Sequence, residues 1–150
     1  MPPDFWNALT AISTAVSTLV ILITGLLIFW QLLELRRSSN AAAFANVVTY
    51  LQEPTTREAR KTLILLSKQD MNDWTNEEKR AAEIVCNTYD VVGIMVANRF
   101  IPGMTVVREW RDSIIKCWTN AKPLIDAYRK ERREDYWDGF ERLYELACRL

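Results

Sequence analysis

From Phe5 to Leu33 the chain carries no charged side chain; it reads FWNALTAISTAVSTLVILITGLLIFWQLL. A helix needs about 20 predominantly apolar residues to cross the hydrocarbon core of a bilayer, and the section from Leu9 to Trp30 supplies them. Trp6 and Trp30 bracket the run as interfacial aromatic side chains do. At 1.5 Å of rise per residue they stand roughly 36 Å apart, which suits a slightly tilted span. Arg36 and Arg37 follow at once, whereas the one charged side chain ahead of the run is Asp4. Basic residues are retained on the cytoplasmic side. The short N-terminal tail is therefore expected outside, and the chain after about residue 35 in the cytoplasm. A cleaved signal sequence would show a positive leading region, a shorter apolar core and a small-residue cleavage site. None of these features is present, so the sequence predicts a retained anchor.

One face of the span is small and polar. Thr10, Thr14, Ser17 and Thr24 recur at helical spacing, interrupted by Ile21, and Ala8, Ala11, Ala15 and Thr18 form a neighbouring strip. Such faces let membrane helices approach closely and hydrogen-bond to one another. The same hydroxyls can instead bond the carbonyl four residues earlier on their own helix and be merely tolerated. Both readings stay open at this level.

A chain of 150 residues leaves one domain of roughly 110 residues beyond the span, enough to bury a core. The division expected is an anchor over 1–35 and a cytoplasmic helical domain over 36–150. With 19 basic and 19 acidic residues the net charge is zero, so no basic excess points to nucleic acid. Histidine is absent, which removes the commonest general acid–base residue and the commonest metal ligand. Cys86, Cys117 and Cys148 are far apart and form no CxxC, so neither a zinc knuckle nor a thioredoxin motif is supported. Their odd number without a pairing pattern fits a reducing compartment. GxGxxG, Walker, GxSxG and HExxH patterns are also missing. The expectation is a non-enzymatic chain without catalytic residues, cofactor or metal.

Four glycines and five prolines leave few turns and favour long helices. Ser38-Ser39-Asn40 is the first place where the helix entering from the span could break, although it could also run through. Phe44, Val47, Val48 and Leu51 then share a stripe that ends at Glu53-Pro54. Thr55 with Glu58, and Thr75 with Glu78, each have capping-box spacing. Ala59, Leu63 and Leu66, widened by Ile64 and Leu65, mark the buried side of the helix after Thr55; Trp74 precedes the second box. The strongest soluble helix covers residues 76–97. Ala82, Val85, Tyr89, Val92 and Val96 are spaced 3, 4, 3, 4, with Ile84, Val91 and Met95 alongside, so this helix is expected at the centre. After a turn at 98–103, Thr105 can cap a helix carrying Val107, Trp110, Ile114 and Trp118. Asn120-Ala121-Lys122-Pro123 is expected to break it before a further short helix. The last segment puts Trp137, Phe140, Tyr144 and Ala147 on one stripe.

Asp90 is the most suggestive single residue, because it sits mid-helix among apolar neighbours with Asn87 one turn earlier. A buried carboxylate has to be paired. It could serve a ligand, or bond an arginine such as Arg60, Arg108 or Arg111, or a tryptophan indole. Arg129, Lys130, Arg132 and Arg133 could touch anionic lipid, but the acidic residues around them favour a solvated mixed-charge turn. Tyr136-Trp137 beside Phe140 is the place to expect a pocket wall. All three cysteines lie in helical segments without a basic partner and are expected to be buried small hydrophobes.

The order of a span, then LRRSSNAAAFANVVTYLQ, TREARK, YDVVGIMV, IPGMTVVREW and YWDGFERLYELA, resembles a family of uncharacterised bacterial single-pass membrane proteins, classed as a domain of unknown function. The resemblance covers nearly the whole chain and implies a small helical cytoplasmic domain on one anchor. It brings no activity, cofactor or site residue. The expectation is an all-α protein with one N-terminal transmembrane helix and a cytoplasmic bundle of about five to six helices with short connections. Its location would be the bacterial inner membrane, N-terminus out. Its partners would be the membrane and either another protein or further copies of itself, with no nucleic acid. The role expected is that of a membrane-anchored interaction or scaffold domain. The alternatives are an oligomerising membrane effector or sensor, as in phage–host conflict, and a domain that binds a lipid or small molecule.

Overall fold

The computed structural model describes the backbone of residues 3–150, with the side chains of 12–36 and 38–150. The chain forms two compact units, Met1–Ser39 and Asn40–Leu150. Among the described residues there is no strand.

The first helix, α1, spans Pro3–Gln52. No helix break occurs at Ser38-Ser39-Asn40. In the first unit its side chains from Ile12 to Arg36 are all exposed. The stretch Ile12–Gln52 contains an 18-residue window of mean hydropathy 2.3 with none of it buried, and α1 is the one described helix long and apolar enough to cross a membrane. Two hydroxyls of this unit bond the preceding turn of their own helix: Thr18 Oγ1 donates to the Thr14 carbonyl at 2.9 Å and Thr24 Oγ1 to that of Val20 at 2.8 Å.

The second unit is a bundle made of the last turns of α1 with α2 (Pro54–Leu65), α3 (Asn76–Ala97), α4 (Gly103–Glu131) and α5 (Asp138–Cys148). Val47 and Leu51 of α1 are buried in its core, with Phe44 packed against it. Pro54 starts α2 because its fixed φ and missing N–H suit a first helical position. The helix therefore begins one residue before Thr55, and no capping box forms there. Ala59, Leu63 and Leu66 are buried as the stripe requires, but Ile64 and Leu65 face solvent. Two 3₁₀ turns, Leu66–Lys68 and Met71–Asp73, connect to α3. Thr75 and Glu78 form the second capping box, each side chain meeting the other residue's backbone N–H.

Helix α3 is the hub and packs against α2, α4 and α5. Ala82, Val85, Cys86, Tyr89 and Val92 are fully buried, and Gly93 meets α5, while Val91 points outward. The chain turns at Arg99, which takes a positive φ of 59°. Pro102, not Thr105, occupies the position before α4.

The expected break at 120–123 does not occur. Helix α4 continues through Pro123. Proline removes one backbone hydrogen bond and crowds the preceding turn, at a cost of about 3 kcal/mol. Trp118 and Ala121 before it, and Leu124 and Ile125 after it, are all buried in one core. Packing on both sides holds a continuous helix where local preference would end it. Asn120 adds a tie by donating from Nδ2 to the Leu63 carbonyl at 3.2 Å.

The core is finished by aromatic rings. Phe140 of α5 stacks on Tyr89 with centroids 5.0 Å apart and meets Trp118 in a T-shaped pair at 5.0 Å. Its position depends on two glycines. A Cβ added to Gly93 would lie 1.8 Å from the Gly139 carbonyl oxygen, and one added to Gly139 would lie 2.5 Å from the Asp90 carbonyl oxygen. Backbone meets backbone here, and neither side can yield.

Gly93→Ala is therefore expected to destabilise the second unit by at least about 2 kcal/mol, the overpacking scale at an unyielding site. Denaturant unfolding of the full chain in detergent measures this. Gly25→Ala, whose added Cβ meets nothing within 4 Å, is the neutral control; equal behaviour of the two variants would refute the locked crossing.

Candidate functional site

The polar seam of α3 meets the start of α5. Trp137, the residue before α5, has φ 59° and ψ 36°. The left-handed region costs a side-chain-bearing residue about 1–2 kcal/mol, so such a conformer persists only where the surroundings hold it. Here the ring is buried and its indole Nε1 donates to Asn87 Oδ1 at 2.7 Å. One turn along α3, Asp90 Oδ1 accepts the backbone N–H of Phe140 at 3.2 Å, and the Gly139 amide also reaches this carboxylate. Asp90 thus caps α5 from a neighbouring helix, a carboxylate at the positive end of the helix dipole.

Asn87 and Asp90 are brought together as the sequence suggested, but the partners differ. The arginines proposed for Asp90 are used elsewhere. Arg60 donates from Nη2 to the Leu51 carbonyl at 2.7 Å and from Nη1 to the Tyr89 hydroxyl at 3.5 Å. Tyr89 in turn donates to Ser113 Oγ at 2.8 Å. Arg111 donates from Nε to the Ala147 carbonyl at 3.0 Å, and Arg108 is exposed. Burial raises the Asp90 carboxyl above its ordinary 3.8, and Asp138 adds to the rise. The two backbone amides and, more weakly, Arg129 oppose it.

Beside these contacts lies an open cleft of about 510 Å³. Asn87 and Asp90 line one side, and Tyr136 and Trp137 form the wall expected from the sequence. Two ion pairs flank it: Arg133 Nε with Asp135 at 3.3 Å and Arg142 Nη2 with Asp138 at 2.5 Å. The pairing of Arg142 with Asp138 has a sequence signal, their i,i+4 spacing. Gly139, which admits the close approach, carries none until its neighbour on α3 is known.

The basic run 129–133 is divided among local partners. Arg129 pairs with Glu141 at 2.7 Å and donates from Nε to the Tyr136 carbonyl at 2.9 Å. Arg132 lies over the rings of Tyr128 and Tyr136, 4.6 and 5.2 Å from their centroids. Tyr128 donates its hydroxyl to Glu83, which pushes its pKa up to about 12.

The remaining site residues fall elsewhere. Thr14, Ser17, Thr24, Trp30 and Arg36 are exposed on α1 of the first unit; Trp6, Thr10 and Arg37 lie outside the residues with described side chains. Cys86 and Cys117 are buried, and burial raises both thiols, that of Cys117 to about 11. Cys148 departs from the expectation: it is the last residue of α5 and is exposed. Among the described residues no group of three His, Cys, Asp or Glu could hold a metal ion.

A family model described as a domain of unknown function, DUF4760, matches residues 18–147. The chain belongs to the DUF4760 family. No curated protein and no solved structure matches it. The DUF4760 match starts within α1 and ends inside α5, so one family unit takes in most of the apolar run together with the bundle.

The raised Asp90 carboxyl sets a pH dependence. The folded chain holds this proton more tightly than the unfolded chain. The stabilising contribution is complete below 3.8 and is lost as the pH rises through the folded value. Asp90→Asn keeps an oxygen for the Phe140 amide and removes the titration. The stability of the variant minus that of the parent should grow with pH above 3.8 and then level off, as read by denaturant unfolding across pH 3–8. A difference that is constant, or that grows towards acid, refutes the assignment.

Proposed function

We propose that this DUF4760 protein is a single-pass membrane protein whose helical unit, on the cytoplasmic side, holds a protein partner at the membrane surface. The carrying observation is that α1 has an apolar run of spanning length with none of it buried, while residues 40–150 contain a closed core. In water the side chains of the run would remain exposed; in a bilayer that exposure is favourable. Arg36 and Arg37 on the C-terminal flank support an orientation with the N-terminus out. Anchoring confines diffusion and raises the effective concentration of partners held at the same surface, so modest contacts suffice.

Cys148 provides the topology test, because it is exposed while Cys86 and Cys117 are buried. A membrane-impermeant maleimide should leave the full chain unlabelled in intact bacterial cells and label it at Cys148 in inverted membrane vesicles. Labelling in intact cells would reverse the orientation, and recovery of the chain in the soluble fraction would remove the anchor. Photo-crosslinking from position 98, at the rim of the cleft, should give a defined adduct in native membranes. Absence of any adduct would count against the interaction role.

A further inference from the structure

We propose that the cleft between α3 and the start of α5 receives a cationic side chain, a guanidinium or an ammonium group, presented by the partner protein. The inference deepens the interaction reading and rests on it. Five charged side chains line the cleft: Asp90, Asp135, Asp138, Arg133 and Arg142. Both arginines are engaged by their own aspartates, Arg133 with Asp135 at 3.3 Å and Arg142 with Asp138 at 2.5 Å. Asp90 is left as the one carboxylate of the cleft without a cation within ion-pair distance, among the described residues. Its carboxylate takes the Phe140 and Gly139 amides. A carboxylate offers about four acceptor positions, so capping α5 does not exhaust it.

The aromatic wall favours the same kind of ligand. Tyr136 and Trp137 meet edge to face with centroids 4.6 Å apart. The Tyr136 ring already draws one guanidinium, that of Arg132, to 5.2 Å from its centroid. A cation in the cleft would find the Asp90 carboxylate and the half-buried Tyr136 ring together, with Trp137 buried behind them; a carboxylate and an aromatic ring are the two elements that recognise guanidinium and ammonium groups. A carboxylate ligand would meet Asp90 and two arginines that are already paired. The mouth is open and its volume is about 510 Å³, room for an extended arginine or lysine side chain. The strained Trp137 backbone and its bond to Asn87 fix the wall before any ligand arrives.

The test uses the full chain in lipid nanodiscs, with the indole N–H signal of Trp137 followed by NMR. The probes are acetyl-glycyl-arginyl-glycinamide, its neutral citrulline counterpart and its glutamate counterpart. The arginine peptide should shift the Trp137 signal saturably at millimolar concentration, a scale suited to one residue. The citrulline and glutamate peptides should not shift it. Asp90→Asn should weaken arginine binding about tenfold, the scale of losing one charge-assisted contact. An equal response to citrulline, a stronger response to glutamate, unchanged binding in Asp90→Asn, or no shift up to about 20 mM arginine peptide would each overturn the proposal. If the cation binds but position 98 yields no adduct, the cleft assignment stands and the interaction role falls. An adduct together with a silent cleft gives the reverse.

Discussion

At the crossing of α3 and α5 two backbones touch without intervening side chains, because Gly93 and Gly139 face each other where any Cβ would overlap a carbonyl. The remaining contacts of the site follow from that distance. Only with α5 this close can a side chain as short as aspartate reach from α3 to the amides of Gly139 and Phe140. The same approach brings Asn87 to the Trp137 indole and seats Phe140 on Tyr89. The left-handed turn at Trp137 is the geometric consequence. The chain must reverse from the basic end of α4 into a helix whose first turn is already fixed against α3, and it does so at a residue held by an indole bond.

Four of the polar side chains that reach into the bundle serve helix ends. Asp90 serves the N-terminus of α5. Arg60 serves the end of α1 at Leu51, Asn120 the end of α2 at Leu63, and Arg111 the end of α5 at Ala147. Orphan amides and carbonyls at helix termini need partners, and here those partners come from other helices. Each such contact costs little because donor and acceptor are already fixed by the core, and each ties the length of one helix to the position of another. This accounts for the charged side chains that reach into the bundle.

Features that depend on neighbours in sequence were legible. The uncharged run, the Thr75–Glu78 box and the 3, 4, 3, 4 stripe of α3 are local patterns, and each is found. Features decided by distant packing were not. Pro123 looks like a break because local preference opposes it, yet Trp118 and Ala121 before it and Leu124 and Ile125 after it, all buried, keep α4 whole. Thr55 had the right spacing for a cap but stood behind Pro54, a stronger starter. For Asp90 the sequence showed that a partner was needed and could not show which. Its partners are the backbone N–H groups of Gly139 and Phe140, about fifty positions away, groups that every residue except proline carries and that no pattern can single out. The exposure of Cys148 follows from its place on the last turn of α5, beyond the buried Ala147.

The first unit poses a different energetic problem. In hydrocarbon a hydroxyl without a partner is costly. The hydroxyl donors of Thr18 and Thr24 are already spent on carbonyls of their own helix. The hydroxyls of Thr18 and Thr24 therefore impose no requirement for a second span. Association between spans could draw on close packing of small residues such as Ala15 and Gly25. Such packing competes with lipid contacts of similar quality, so it gains most where something else brings the spans together. A partner that occupied two helical units at once would do so. On the role proposed above, assembly would follow from recognition by the second unit, with the span limiting where that recognition takes place.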